Sequence, residues 1–247
     1  MEEIIGIKEL KKSFGRLDVL KGINCSFKEG GVVSIMGPNA SGKTTLIKSI
    51  LGMVIPDEGT ILFKGNPVTG TFNYKRHIGY MPQIGRYPDN MKIGQLFRMI
   101  MDIRQEDTAL DNDLLKEYKL ESMYHKTMRT LSGGTLQKVS AAMAFMFNPD
   151  VLILDEPSAG LDPFAAETLK EKIVHEKNKG KLILVTSHIL SEADEISDHI
   201  MYLIEGQIKF YKSLYQLKEE TGEHKLSKAL TKIMTEKNVE NSQIYSF

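Results

Sequence analysis

The sequence predicts an α/β fold built on a parallel sheet with helices on both faces. Three observations carry that reading. Two uninterrupted apolar runs, VLILD (151–155) and KLILVTSH (181–188), flank a helical pattern at 163–178. Continuous runs suit parallel strands covered on both faces, and strand alternating with helix is the mark of βαβ units. A third run, GVVSIMG (31–37), leads into a glycine-rich turn and the helical pattern TTLIKSILGM (44–53), with Leu46, Ile50 and Leu51 on one face.

The remaining elements follow in order. IIGIKELKKSF and INCSF alternate as half-buried strands, and GTILFKG (59–65) reads as a strand between glycine turns, so an antiparallel β portion is expected near the N-terminus. From Gln83 to about Ala144 the pattern turns helical, through IGQLFRMIMDI, LLKEYKL and the run after Ser132, whose Leu136, Val139, Met143 and Met146 form an expected buried face. LYQLKEE and LSKALTKIM, beyond Ser213, read as surface helices. The expected organisation is a core with its β portion over 1–83 and 146–212, a helical lobe over 84–145, and a helical tail over 213–247.

Composition narrows the function. The 247 residues suffice for one large domain or a core with an inserted lobe. Lys+Arg and Asp+Glu both total 32, so no global basic field draws the chain to nucleic acid, and no such partner is expected. The single cysteine, Cys25, allows no internal disulfide and reads as a small buried hydrophobe. The N-terminus MEEIIGIKEL carries acids where a signal peptide would be basic, and no apolar run approaches the ~18 residues of a membrane span. A soluble, cytoplasmic chain is expected, with any membrane role exerted through a partner.

GPNASGKT (37–44) fits G-x-x-x-x-G-K-[ST] between an expected strand and an expected helix, the context that gives the motif its meaning. Backbone N–H groups of such a loop cradle phosphates, Lys43 brings a point charge to the β and γ oxygens, and the Thr44 hydroxyl ligates Mg²⁺. Gly37, Asn39, Ala40, Ser41, Gly42 and Thr45 complete the candidate cradle. VLILD delivers Asp155 to a strand end, where a carboxylate holds Mg²⁺, and Glu156 follows as the candidate base for an attacking water. His188 closes the next strand, where an imidazole can meet the γ-phosphate; alone, such a histidine is ordinarily structural. Gln83, after Pro82, is equally mute alone. RTLSGGTLQK (129–138) sets Ser132, Gly133 and Gly134 before a helical run, a second helix start suited to an anion.

Taken together these residues resemble the ATP-binding subunits of ABC transporters. The motifs fall in that family's order over nearly the whole chain: GPNASGKTT as Walker A, Gln83 as the Q-loop, LSGGTLQK as the signature, VLILDEP as Walker B, SAGLD (158–162) as the D-loop and His188 as the switch histidine. The resemblance implies a P-loop NTPase core of the ABC-type ATPase kind, with ATP and Mg²⁺ as cofactors. It also implies a head-to-tail homodimer in which Ser132, Gly133 and Gly134 of one copy close over the γ-phosphate held by the other. It adds Phe14 as the aromatic that stacks on adenine, Gln83 as a Mg²⁺ contact that reports the γ-phosphate to the lobe, and Asp162 at the nucleotide. An integral membrane permease is implied as partner, docked against the lobe with Arg86 and Tyr87 as candidate contacts, and the chain is placed peripherally on the cytoplasmic face of the inner membrane.

Ala40 stands where the family's phosphate loop usually carries glycine, and Thr135 replaces the glutamine that usually ends the signature. With their surroundings, GPNASGKTTLIKSILGM, IGYMPQIGRYPDNMKIGQLF and LSGGTLQKVSAA resemble the ATPase subunit of the bacterial transporter for copper-site maturation of nitrous oxide reductase, which works with a periplasmic maturation protein. Other classes fit less well. ABC-type ATPases of DNA repair insert a long coiled coil between Walker A and signature, whereas about 90 residues without sustained heptads separate Lys43 from Ser132. ABC-type translation factors usually carry two ATPase units, and a P-loop kinase or GTPase leaves LSGG unexplained.

Overall fold

The computed structural model describes residues 2–105 and 110–243. Residues 106–109 of the expected lobe and 244–247 of the expected tail lie outside the described residues. The chain opens with two long antiparallel strands, β1 (Glu3–Phe14) and β2 (Leu17–Lys28), then β3 (Val32–Met36), helix α1 (Lys43–Ile50), β4 (Glu58–Phe63) and the two-residue β5 (Asn66–Pro67). β6 (Ile78–Met81) precedes α2 (Ile93–Arg104), α3 (Asp113–Glu117) and α4 (Gly133–Phe145). The second half runs β7 (Val151–Asp155), α5 (Pro163–Asn178), β8 (Leu182–Thr186), α6 (Leu190–Ile196), β9 (His199–Ile204), β10 (Gln207–Ser213), α7 (Leu214–Thr221) and α8 (Leu226–Gln243).

Two sheets result. An antiparallel sheet has the order β2-β1-β4-β5, and a six-stranded sheet has the order β10-β9-β3-β8-β7-β6, parallel except for the antiparallel β10 edge. Every residue of β3, β7 and β8 is buried, as continuous apolar runs require. Their side chains alternate between two cores. Leu152, Leu154, Ile183 and Val185 pack with Phe97 of α2 and Val139 and Phe145 of α4, while Val151, Ile153, Leu182 and Leu184 pack toward Leu46, Ile50 and the antiparallel sheet.

The simple alternation expected of β1 does not hold: Ile4 to Ile7 are all buried, and the pairing with β2 shifts register at several points, one of them shared with β4. Between Ile7 and Leu10 the strand spends one more residue than either neighbour, and Glu9 there adopts a φ of +48°. This is a β-bulge, and Gly59 of β4 accommodates it, since a Cβ on Gly59 would lie 2.4 Å from the Glu9 carbonyl oxygen. The tail also departs from expectation. α7 and α8 are not surface helices alone: Leu217, Leu226 and Leu230 are buried against Met36, Ala193, Ile200 and Phe210 in a third core. Helix α4 is buried more widely than the expected stripe, with Val139 and Met146 inside, Leu136 and Met143 half-buried, and Gln137 and Ser140 also covered. Cys25 is half-buried on β2 beside the second core.

An ion cluster ties the start of α3 to α5. The Lys172 ammonium lies 2.6 Å from Asp111, 2.7 Å from Asp113 and 3.1 Å from Glu176, and Glu176 in turn pairs with Lys179 at 2.7 Å and with Lys181. Burial pushes the Glu176 carboxyl upward, but its three lysines outweigh that and bring it down to about 2. A depressed folded value means that this group's share of stability is complete above its ordinary value of 4.5 and is lost as pH falls toward about 2. Glu176→Gln should therefore flatten the acid limb of a thermal-midpoint profile; an unchanged limb would contradict the assignment.

Candidate functional site

Three neighbouring parallel strands, β3, β8 and β7, bring their carboxyl ends to one edge of the sheet. β3 ends in the phosphate loop, β7 in Asp155 and Glu156, and β8 in Thr186, Ser187 and His188. Ligands of open α/β sheets bind at such carboxyl ends.

The loop's glycines are dictated by contact. Gly37 has φ +147° and a Cβ there would fall 2.0 Å from the Leu203 carbonyl oxygen; Gly42 has φ +103° and its Cβ would lie 2.9 Å from the Val19 carbonyl oxygen of β2. That contact sets the β1–β2 hairpin, with Phe14 at its tip, against the loop. Phe14 is 51% exposed, with the Lys12 ammonium 5.3 Å from its ring centre.

Helix α1 starts at Gly42 without any side-chain cap and without an acid in its first turn. Its first N–H groups thus remain available to an anion, the arrangement that phosphate binding exploits. Lys43 folds back over the loop, donating to the carbonyl oxygens of Gly37 at 2.8 Å and Pro38 at 2.9 Å. Burial pulls its ammonium below the usual value, opposed by the Glu156 and Asp155 carboxylates. Asn39, Ala40 and Thr44 are exposed, Thr45 is half-buried, and Ser41 is buried.

Ala40 adopts φ +61°, the left-handed region that glycine enters without penalty. The strain is about 1 kcal/mol or more, against which glycine costs about 0.4–1 kcal/mol in unfolded-state entropy. Ala40→Gly should consequently leave stability unchanged or raise it by up to about 1 kcal/mol in denaturant unfolding. A loss of about 1 kcal/mol or more would show the backbone to be unstrained.

The candidate hydrolytic groups cluster tightly. His188 Nδ1 is 2.6 Å from a Glu156 carboxylate oxygen, with Glu156 13% and His188 71% exposed at the side chain. Asp155 is buried and accepts a 2.5 Å hydrogen bond from the Thr186 hydroxyl. Glu156 itself has φ +50°, and its N–H is directed at both the carbonyl and the hydroxyl oxygen of Thr186, at 3.1 and 3.0 Å. Sequence reasoning missed Thr186, because its partnership depends on the β7–β8 register that sets Asp155 opposite Thr186. Ser158, the first residue of the stretch read as the D-loop, was given no role of its own; its hydroxyl donates to Glu192 of α6 at 2.6 Å, a contact set by packing and not by local spacing.

Among the described residues no group of three His, Cys, Asp or Glu is arranged to hold a metal. A magnesium ion here would need nucleotide oxygens beside Thr44 and Asp155, and Mg²⁺ is commonly bound in that way. The donor set fits that ion. Gln83 is exposed in the turn after β6.

At the second helix start, Ser132 caps α4 by accepting from the Thr135 N–H at 3.2 Å, and its hydroxyl also lies 2.9 Å from that of Thr135. The residue that departs from the family pattern thus bonds directly to the signature serine. Gly133 faces open space, whereas a Cβ on Gly134 would come 2.7 Å from the Gly160 carbonyl oxygen. Asp162 caps α5, accepting from Ala165 N–H at 2.9 Å, and pairs with Lys138 of α4 at 2.6 Å. Its carboxylate is engaged within its own chain. Tyr87, a candidate partner contact, turns its hydroxyl inward to Ser140 at 2.7 Å, whereas Arg86 is exposed.

The fold and this edge of the sheet define a nucleotide-binding α/β ATPase. The family model described as "ABC transporter" matches residues 20–159, and the chain belongs to that family. It is 34% identical over 208 residues to the Nod factor export ATP-binding protein I of Burkholderia orbicola, covering 82% of this chain and 68% of that one. It is 32% identical over 214 residues to the lantibiotic transport ATP-binding protein SrtF of Streptococcus pyogenes, covering 83% and 89%. Among solved structures it is similar to an ATP-binding subunit of an ABC transporter, with TM-score 0.86, 28% identity and coverage of 94% and 99%. It is also similar to a dimeric ATP-binding cassette in a post-hydrolysis state bound to ADP and Pi, with TM-score 0.76, 25% identity and coverage of 85% and 99%. The chain is a transport ATPase that binds and hydrolyses ATP. Among the described residues no helix is long and apolar enough to cross a membrane.

Proposed function

We propose that two copies of this chain pair head to tail around two ATP molecules and drive a separate integral membrane permease from the cytoplasmic face of the inner membrane. The observation that carries the ATPase chemistry is the convergence of the uncapped α1 start, Asp155, Glu156 and His188 on the carboxyl ends of three adjacent strands. In this reading Phe14 stacks on adenine and the loop from Gly37 to Thr45 cradles the phosphates. Lys43 exchanges its two loop carbonyls for phosphate oxygens. Thr44, Asp155 and Gln83 would hold Mg²⁺, which supplies charge neutralisation to the phosphates when bound. Glu156 takes the proton of the attacking water, held in place by His188, which also meets the γ-phosphate. Ser132, Gly133 and Gly134 close the partner's site, an assignment supported by the open space at Gly133. Asp162 acts near the nucleotide by fixing the D-loop to α4 through Lys138.

The permease is supported by large apolar side chains left exposed on the surface. Ile55 and Phe72 are 78% and 74% exposed and line one groove of about 410 Å³, and Ile84, beside Gln83, is 68% exposed. Exposed apolar patches of this kind mark protein contacts. Affinity capture of the full chain from solubilised membranes should bring down one integral membrane protein. Recovery of ribosomes or DNA in its place would overturn the reading.

The name of the Nod factor export relative favours export as the direction of transport. Copper-site maturation of nitrous oxide reductase, with a periplasmic partner, is supported by residues 37–53, 78–97 and 131–142 alone. It requires that cells lacking this chain make a nitrous oxide reductase without its copper sites.

A further inference from the structure

Thr186 stands at the end of β8, 1% exposed, inside the apolar run 181–188 that predicts the strand, and carries no role in the sequence reading. Its hydroxyl has one proton to give and two lone pairs. The Asp155 carboxylate only accepts and the Glu156 N–H only donates, so the bonding is fixed: Thr186 donates to Asp155 Oδ1 at 2.5 Å and accepts from Glu156 N–H at 3.0 Å. The hydroxyl therefore joins the carboxylate assigned to the metal and the backbone of the residue assigned as base. Glu156 sits at φ +50°, a conformation that persists only where the surroundings over-determine it, and the two bonds from its N–H to Thr186 supply that determination.

We infer that Thr186 is a positioning residue: its hydroxyl fixes the Asp155 carboxylate rotor, leaving Oδ2 free for the Mg²⁺ of the nucleotide, and in the same act sets where Glu156 points. The inference rests on the ATPase reading above. Partners that orient a metal-binding carboxylate are worth roughly 10–100-fold in metal affinity or activity when removed. Valine reproduces the shape of threonine without the hydroxyl; serine keeps the hydroxyl.

The test uses the full chain and a fluorescent ATP analogue titrated with MgCl₂ at equilibrium, so that it reads binding and not turnover. Thr186→Val should raise the Mg²⁺ concentration for half-maximal binding by about 10-fold or more. It should leave binding in EDTA within about two-fold of wild type, and Thr186→Ser should restore the wild-type curve. A purely structural role would lower the thermal midpoint of Thr186→Val without moving its Mg²⁺ midpoint, and that result overturns the proposal. Should Thr186→Val not fold, Thr186→Ala takes its place in the same titration. If neither folds while serine does, the hydroxyl is needed for folding and the proposal also falls. Failure of the wild-type chain to bind the analogue at any Mg²⁺ concentration would sink the ATPase reading instead, and so the two failures are distinguishable.

Discussion

Glu156→Gln should bind ATP as the wild type does and lose turnover by at least ~100-fold, the lower end of general-base effects. The substitution preserves size, and the amide can still bond to His188, which lies 2.6 Å from the carboxylate. The backbone conformation at φ +50° is set by the N–H bonds to Thr186 and is untouched. Only the ability to accept a proton is removed. The blocked step should leave ATP in place between two copies, so size-exclusion chromatography with ATP should show a dimer for Glu156→Gln under conditions where the wild type returns to monomer. Near-normal turnover would mean that the base lies elsewhere.

The parts of the site that were legible in the sequence are those whose chemistry depends on local spacing. Gly37, Gly42, Lys43 and Thr44 lie within one short stretch that runs from the loop into the start of α1, and their residue types follow from the contacts and charges that a phosphate loop needs. Buried parallel strands announce themselves through unbroken apolar runs, as β3, β7 and β8 do. Elements fixed by packing were less visible. β6 is only four residues long and contains Gly79, whose Cβ would lie 2.0 Å from the Ala144 carbonyl oxygen. A glycine inside a strand can mark such a close approach, but only the structure identifies what approaches. β9 and β10 carry mixed burial and gave no clean period.

Long-range partnerships were the least visible. Lys172 and Asp111 stand 61 residues apart in the chain yet make a buried ion pair, and Thr186 reaches Asp155 only because β7 and β8 are in register. The positive φ of Glu156 has no signature in its residue type. Even the tail's burial could be read only once Met36, at the end of β3, was seen to pack near Leu226 and Leu230. The same packing brings Ser227, Thr231 and Met234 to one cleft of about 520 Å³ with Gly37, Pro38 and His188.

Activity should reappear when two inactive variants are mixed, and this is the outcome that tests the head-to-tail pair. Lys43→Ala removes the phosphate charge, and Ser132→Arg places a bulky side chain at the start of α4, next to the open space at Gly133. Each should be nearly inactive alone. In a heterodimer with the trans arrangement, one composite site takes Lys43 from one copy and Ser132 from the other and is intact, while the second site holds both defects. The mixture should then recover up to about half of the wild-type rate per heterodimer if one intact site turns over alone. Some two-site ATPases need both sites, so a photoreactive ATP analogue is added as the second readout. ATP held by the phosphate loop of the Ser132→Arg copy lies against Ser132 of the Lys43→Ala copy, and label should therefore appear on the Lys43→Ala chain. Label confined to the chain whose own phosphate loop is intact would show that the helix start at Ser132 serves no neighbour.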